Sequence, residues 1–253
     1  MLQHDRYTRI ETYLAENKAV STTALAERLG VSAVTVRKDL DALEKAGIVK
    51  RTHGGAMLAE RQQSAQAVGT YAGLPERMKK IAALAKDHVL PGDFIFLGSG
   101  RTCLALAEYI KDIQEISIIT NNVSAIPILK PYVSNIILLG GEIVMTVDGL
   151  FMTSDANLQS SISGMYVNKA FSSGVGIDAD IGLTVNNMLS TYINRVIPQI
   201  SEEWYVMMDS SKFGVRAFYQ AAEIGRFEHL VTDVSDEDVL KKYKARGIDI
   251  IHP

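Results

Sequence analysis

Residues 21–56 read STTALAERLGVSAVTVRKDLDALEKAGIVKRTHGGA, and this stretch decides the first half of the fold. Ser21 or Thr22 can cap a helix that carries Leu25, Ala26 and Leu29 on one face. Gly30 ends it, because glycine enters the left-handed region without a Cβ penalty. Ser32 then caps a second helix, with Val36, Leu40 and Leu43 spaced i, i+4 and i+7. The first helix is too short to bury its apolar face alone, so the two must pack together. That turns the other face of the second helix outward at its N-terminal end, with Ala33, Thr35, Arg37 and Lys38. After Gly47, residues 48–53 (IVKRTH) can form one arm of a small hairpin bearing Lys50, Arg51 and His53. Residues 5–17 read as a preceding helix with Tyr7, Ile10, Tyr13 and Leu14 inward. The sum is a winged helix-turn-helix.

A helix N-terminus that presents hydroxyls and cations suits the DNA major groove, where arginine and lysine reach guanine edges or phosphates. Ser32, Thr35, Arg37 and Lys38 are the candidate contacts of the helix, and Lys50, Arg51 and His53 those of the wing. A helical hairpin used only for packing is the plainer reading. The outward cations, the adjoining wing and the third helix weigh against it.

Composition agrees with a folded protein but does not by itself announce nucleic acid. At 47% hydrophobic and 22% charged residues, the chain of 253 can bury one large core or two. Its formal charge is −3, yet residues 1–61 hold ten Lys/Arg against eight Asp/Glu, so the first part is slightly basic. The lone cysteine, Cys103, excludes an internal disulfide and reads as a small buried residue of a reducing compartment. No signal peptide and no apolar run near ~20 residues is present, so a cytoplasmic location without membrane contact is expected.

From about residue 58 to 75 the text is rich in Ala, Gln, Ser and Gly, which reads as a linker. The expected division is therefore 1–57, a winged helix-turn-helix domain; 58–75, a linker; and 76–253, an α/β domain. Beyond Pro75, apolar runs at 94–97, 117–120, 136–139, 169–172, 204–208, 230–232 and 249–251 alternate with helical segments. That alternation predicts a largely parallel sheet. Residues 142–168 show no periodicity that assigns an element.

Ligands of open α/β sheets gather at the carboxyl ends of strands. Here those ends carry Gly98, Ser99, Gly100, Arg101 and Thr102, then Asn121, then Gly140 and Gly141, then Asp178, then Asp209 and Lys212. Glycine amides and two cations suit an anion, and amide and carboxylate side chains suit sugar hydroxyls. A phosphorylated sugar or similar polyol phosphate is the expected ligand. Residues 98–102 (GSGRT) lack the lysine of a nucleotide loop and the spacing of a dinucleotide fingerprint, so no cofactor is expected; nor is a metal, the histidines being scattered.

The run from Arg6 to Ala56, above all TVRKDLDALEKAGIVKRTHGGA, resembles the DNA-binding domain of DeoR-type bacterial repressors. Lys38 departs from a more usual arginine. Residues 99–100, 120–121, 140–141, 176–178, 182–184, 209–212 and 232–233 resemble the successive motifs of the DeoR sensor domain. The resemblance implies a domain similar in fold to ribose-5-phosphate isomerase, responsive to sugar phosphates, with Asp209 and Lys212 at positions implicated in inducer response. Arg101 stands where threonine is usual, Met78 where lysine is usual, and Tyr192 where an acid is usual, which implies an altered effector site.

The expected function is thus a regulator, a repressor of a carbohydrate-utilisation operon, binding an operator as a homodimer or homotetramer and not acting as an enzyme. The alternative is a sugar-phosphate isomerase-like enzyme with an appended DNA-binding domain.

Overall fold

The computed structural model describes residues 6–7, 9–10, 13–14, 17, 19–45, 49–52, 54–58, 73–146, 148–155, 161–162 and 164–253. The chain divides into two units, Met1–Gln66 and Ala67–Pro253. The expected wing residues Gly47, Ile48 and His53, and all but the ends of the expected linker, lie outside the described residues.

In the first unit β1 (Ala19–Ser21) leads into α1 (Thr22–Leu29) and α2 (Ala33–Lys45), followed by β2 (Val49–Thr52) and β3 (Gly55–Leu58). Ser21, not Thr22, is the cap: its backbone is extended and its hydroxyl accepts from the Ala24 amide at 3.1 Å, whereas Thr22 is buried. Gly30 sits at φ +65°, and the Val31 amide turns back to the Ala26 carbonyl at 3.1 Å. Ser32 caps α2 by accepting from the Thr35 amide at 3.1 Å. Ile10, Leu14, Leu25, Leu29, Val36, Leu40, Leu43, Val49 and Ala56 form one core, so the helical spacings read from the sequence are the buried ones. Arg6 grips the buried Asp39 with two hydrogen bonds, 2.7 and 2.9 Å, tying the first helical segment to α2.

The wing is a three-stranded antiparallel sheet in the order β1-β3-β2, registered by Ser21↔Gly55, Val20↔Ala56 and Arg51↔Ala56. β1 has no sequence signal of its own; three residues show no periodicity, and the strand exists because β3 gives it a partner.

The second unit opens with α3 (Glu76–Lys86) and β4 (Phe94–Leu97), then α4 (Arg101–Ile110), β5 (Ser117–Thr120), the short α5 (Ile126–Leu129) and β6 (Asn135–Leu138). A hairpin of β7 (Glu142–Met145) and β8 (Phe151–Ser154) follows, then β9 (Val167–Ser172), β10 (Gly176–Asp178) and β11 (Gly182–Val185). α6 (Met188–Ile200), β12 (Ser201–Met207), β13 (Tyr219–Ala222), β14 (His229–Val231), α7 (Glu237–Lys244) and β15 (Asp249–Ile251) complete it. Seven strands form a parallel sheet in the order β15-β14-β12-β9-β4-β5-β6.

Strand alternation assigns its two faces. Ile95, Leu97, Phe171, Tyr205, Met207 and Val231 pack with α3 and α4, whereas Phe96, Ala170, Trp204, Val206 and Leu230 pack with α6. A parallel sheet covered on both sides needs continuous apolar strands, which is why FIFL at 94–97 was readable. Among residues 142–168, the described ones include the β7–β8 hairpin and the start of β9. Among the described residues no helix is long and apolar enough to cross a membrane, and no group of His, Cys, Asp and Glu is arranged to hold a metal.

Candidate functional site

The outward face of α2 carries Val34, Arg37 and Lys38, all exposed, at spacings i, i+3 and i+4. Arg37 and Lys38, and Lys50 on β2, carry no ion pair among the described residues. Of the other predicted contacts, Ser32, Thr35 and Arg51 are engaged within the unit, and His53 lies outside the described residues. The Ser32 and Thr35 hydroxyls bond each other at 2.9 Å as part of the cap. Arg51 is drawn onto α2: its amide donates to Glu44 at 2.8 Å, and its guanidinium holds Asp41 and reaches the Arg37 carbonyl at 3.4 Å. Val34 was not singled out from the sequence, where an exposed valine looks the same as a core one.

In the second unit, the order of the parallel sheet reverses between β4 and β9, the place where such sheets hold ligands. A cleft of about 480 Å³ lies there, lined by Gly98, Ser99, Gly100 and Arg101 after β4, Ser172 at the end of β9 with Ser173–Val175 after it, and Ser211 and Lys212 after β12. Gly98 lets β4 pass close to β9: its amide donates to the Phe171 carbonyl at 2.8 Å, and an added Cβ would lie 3.2 Å from that oxygen. Gly100, at φ +103°, caps α4 so that the positive end of the helix opens on the cleft. Cys103 behind it is buried, and burial pushes its thiol up to about 12, so it stays protonated.

Lys212 supplies the charge. Its ammonium donates to Ser173 Oγ at 3.0 Å, and that hydroxyl donates onward to the Met207 carbonyl at 2.7 Å. Its remaining ammonium protons have no nearer partner among the described residues than Asp209 Oδ2 at 3.9 Å. Burial lowers the lysine pKa, and Asp209 opposes the shift. Asp209 is fully buried; its Oδ1 accepts from Arg77 Nε at 3.0 Å, from the Ser211 amide at 3.1 Å and from the Ser211 hydroxyl. Asp209 therefore holds Lys212 and Arg77 in place from behind the cleft.

The expected rim is only partly assembled. Thr102 and Asn121 are buried, and the Asn121 carbonyl accepts from the Thr153 amide at 2.9 Å, which anchors β8. Gly140 and Gly141 follow β6, an edge strand two places from the switch point, so they do not line the cleft; Gly141 packs on the Ser154 carbonyl, where a Cβ would lie at 2.4 Å. Asp178 ends β10 of the separate antiparallel sheet β10-β11-β13 and is not among the residues that line the cleft.

Arg216 grips Asp178 at 2.8 and 3.2 Å, and with the Asp180 and Ile181 amides it holds the carboxyl down at about 2. A depressed carboxyl contributes stability above its unfolded value of 3.8 that is lost as pH falls toward 2. Asp178→Asn is thus expected to be less stable than wild type at neutral pH, the difference closing across that window in acid-unfolding curves.

Sequence reasoning missed Ser173, Thr146, Asp148, Asn186 and Asn187, which also line the cleft. The Asn pair before α6 was the available signal: Asn187 Oδ1 caps that helix by accepting from the Ser190 amide at 2.7 Å. Of the three departures in the sensor domain, Met78 and Arg101 line the cleft, while Tyr192 points its hydroxyl at Met188 Sδ, 3.0 Å away, and is not among the lining residues.

Comparison with known proteins places both units. The DeoR-like helix-turn-helix domain matches residues 6–62, and the DeoR C terminal sensor domain matches residues 75–234. The lactose phosphotransferase system repressor of Streptococcus mutans is 31% identical over 255 residues, covering 96% of each chain. The HTH-type transcriptional repressor GlcR of Bacillus subtilis is 29% identical over 92% of this chain and 89% of its own. Ribose 5-phosphate isomerase from Plasmodium falciparum matches 54% of this chain and 52% of its own at 16% identity and a TM-score of 0.38. With a helix-turn-helix unit and a sensor unit both matched, the chain belongs to the DeoR family of DNA-binding transcriptional regulators.

Proposed function

We propose that this regulator represses a carbohydrate-utilisation operon and is controlled by a phosphorylated sugar bound in the β4–β9 cleft. The observation that carries the reading is Lys212: a largely buried ammonium, held by Ser173 and backed by Asp209, that lines the same cleft as Gly98 and Gly100 at a helix N-terminus. Such an arrangement suits a dianion, and Asn186 and Asn187 suit hydroxyls. The names of the relatives, a lactose phosphotransferase system repressor among them, support a sugar operon.

In this reading residues 1–57 bind DNA, 58–75 link, and 76–253 sense the effector, in a cytoplasmic homodimer or homotetramer on paired half-sites. Arg37, Lys38 and Lys50 contact the operator, with Thr35, Arg51 and His53 beside them. Regulation rather than catalysis is supported by the names of the relatives.

The test is fluorescence anisotropy of labelled operator at physiological salt, titrated with a panel of aldose and ketose phosphates. One compound is expected to shift operator binding without being converted. Lys212→Met is expected to weaken that compound tenfold or more, the loss of a charge-assisted hydrogen bond, with operator affinity unchanged. An unaltered response in Lys212→Met would place the effector elsewhere.

A further inference from the structure

We infer that Val34 reads a thymine methyl group in the operator, next to the base pair read by Arg37. This rests on the DNA-binding reading of α2 and adds to it a base preference. Val34 is 58% exposed although it lies in the first turn of a helix whose other valine, Val36, is fully buried. A β-branched residue has lower helix propensity than alanine, and here it gains no core contact in return.

Its neighbours narrow what it can do. The Ser32 and Thr35 hydroxyls, which would otherwise read base edges, bond each other and the Thr35 amide. Beside the exposed Ser32, whose hydroxyl is engaged in that cap, the groups exposed here are the two Val34 methyls and the cations Arg37 and Lys38 on the same face. In the major groove, arginine pairs with guanine O6 and N7, and apolar side chains meet the thymine C5 methyl. Val34 and Arg37 are three residues apart, about 4.5 Å along the helix axis. One base-pair step is about 3.4 Å, so the two side chains address adjacent base pairs.

Full-length protein would select its sequence from random duplex DNA, and the selected half-site would be rebuilt with deoxyuridine replacing each thymidine in turn. Uracil lacks only the methyl. At one position, beside the guanine whose identity Arg37→Ala no longer senses, binding is expected to weaken about fourfold, the worth of one buried methyl. Val34→Asn, an exposed change that replaces both methyls with a polar amide, is expected to bind thymine and uracil equally there while keeping the guanine preference. Tolerance of uracil at every position, or discrimination that survives in Val34→Asn, overturns the inference. A protein that selects no sequence at all overturns the DNA-binding reading of α2, and this inference with it.

Discussion

Gly55→Ala is expected to abolish operator binding and to leave the sensor unit folded. A Cβ on Gly55 would sit 2.0 Å from the Val20 carbonyl oxygen and 2.7 Å from Ser21 Cα. Both are backbone atoms of β1, so no side chain can move aside; β1 and β3 must part. Their separation also strains the Thr22 amide bond to the Gly54 carbonyl, 2.8 Å, and the Ser21 cap of α1 beside it. Overpacking costs about 1–3 kcal/mol where side chains can adjust, and this rigid contact belongs at or above the upper end. A unit of some 60 residues has little stability to lose. Thermal unfolding should show the first unit melting early and the second unchanged, with specific binding gone in the anisotropy assay. Wild-type melting together with operator affinity within twofold would show that β1 and β3 tolerate the extra carbon.

The second large effect is expected from Asp209→Ala, which should destabilise the sensor unit by about 3–5 kcal/mol and remove its response to effector. The carboxylate is fully buried, and its loss leaves the ammonium of Lys212 without its nearby counter-charge and Arg77 without its acceptor. The pH dependence gives a second reading. Burial already lowers the Lys212 pKa below the ordinary 10.5, so the folded state binds fewer protons than the unfolded one, and stability rises as pH climbs toward that value. Asp209 opposes that shift, so in Asp209→Ala the rise should be steeper. Denaturant unfolding at neutral and alkaline pH measures both effects. A variant as stable as wild type at neutral pH, with the same pH slope, would mean that Asp209 does not support Lys212.

The winged motif was legible because its signals are local. Ser32 and Gly30 act on neighbouring amides, and Val36, Leu40 and Leu43 meet one core through helical period alone. The parallel sheet was legible for a similar reason, since strands covered on both faces must be apolar throughout, as 94–97 and 204–207 are. The closing glycine pair could be recognised as a motif, but the reason for Gly55 is the backbone of Val20, which only the paired strands reveal.

Local pattern in the chain thus dictates the element types, the order of the two units and the residues capable of binding DNA or an anion. Tertiary structure decided which of those residues meet. Strand order brought Gly98 and Lys212 to one cleft, left Gly141 at an edge strand and placed Asp178 in another sheet. Folding also drew Arg51 onto Asp41 and buried Asp209 against Arg77, 132 residues away in the chain. Caps and periodicities act within a turn or a strand. Burial and the pairing of charges depend on neighbours supplied by distant segments, and no local pattern encodes which segments those are.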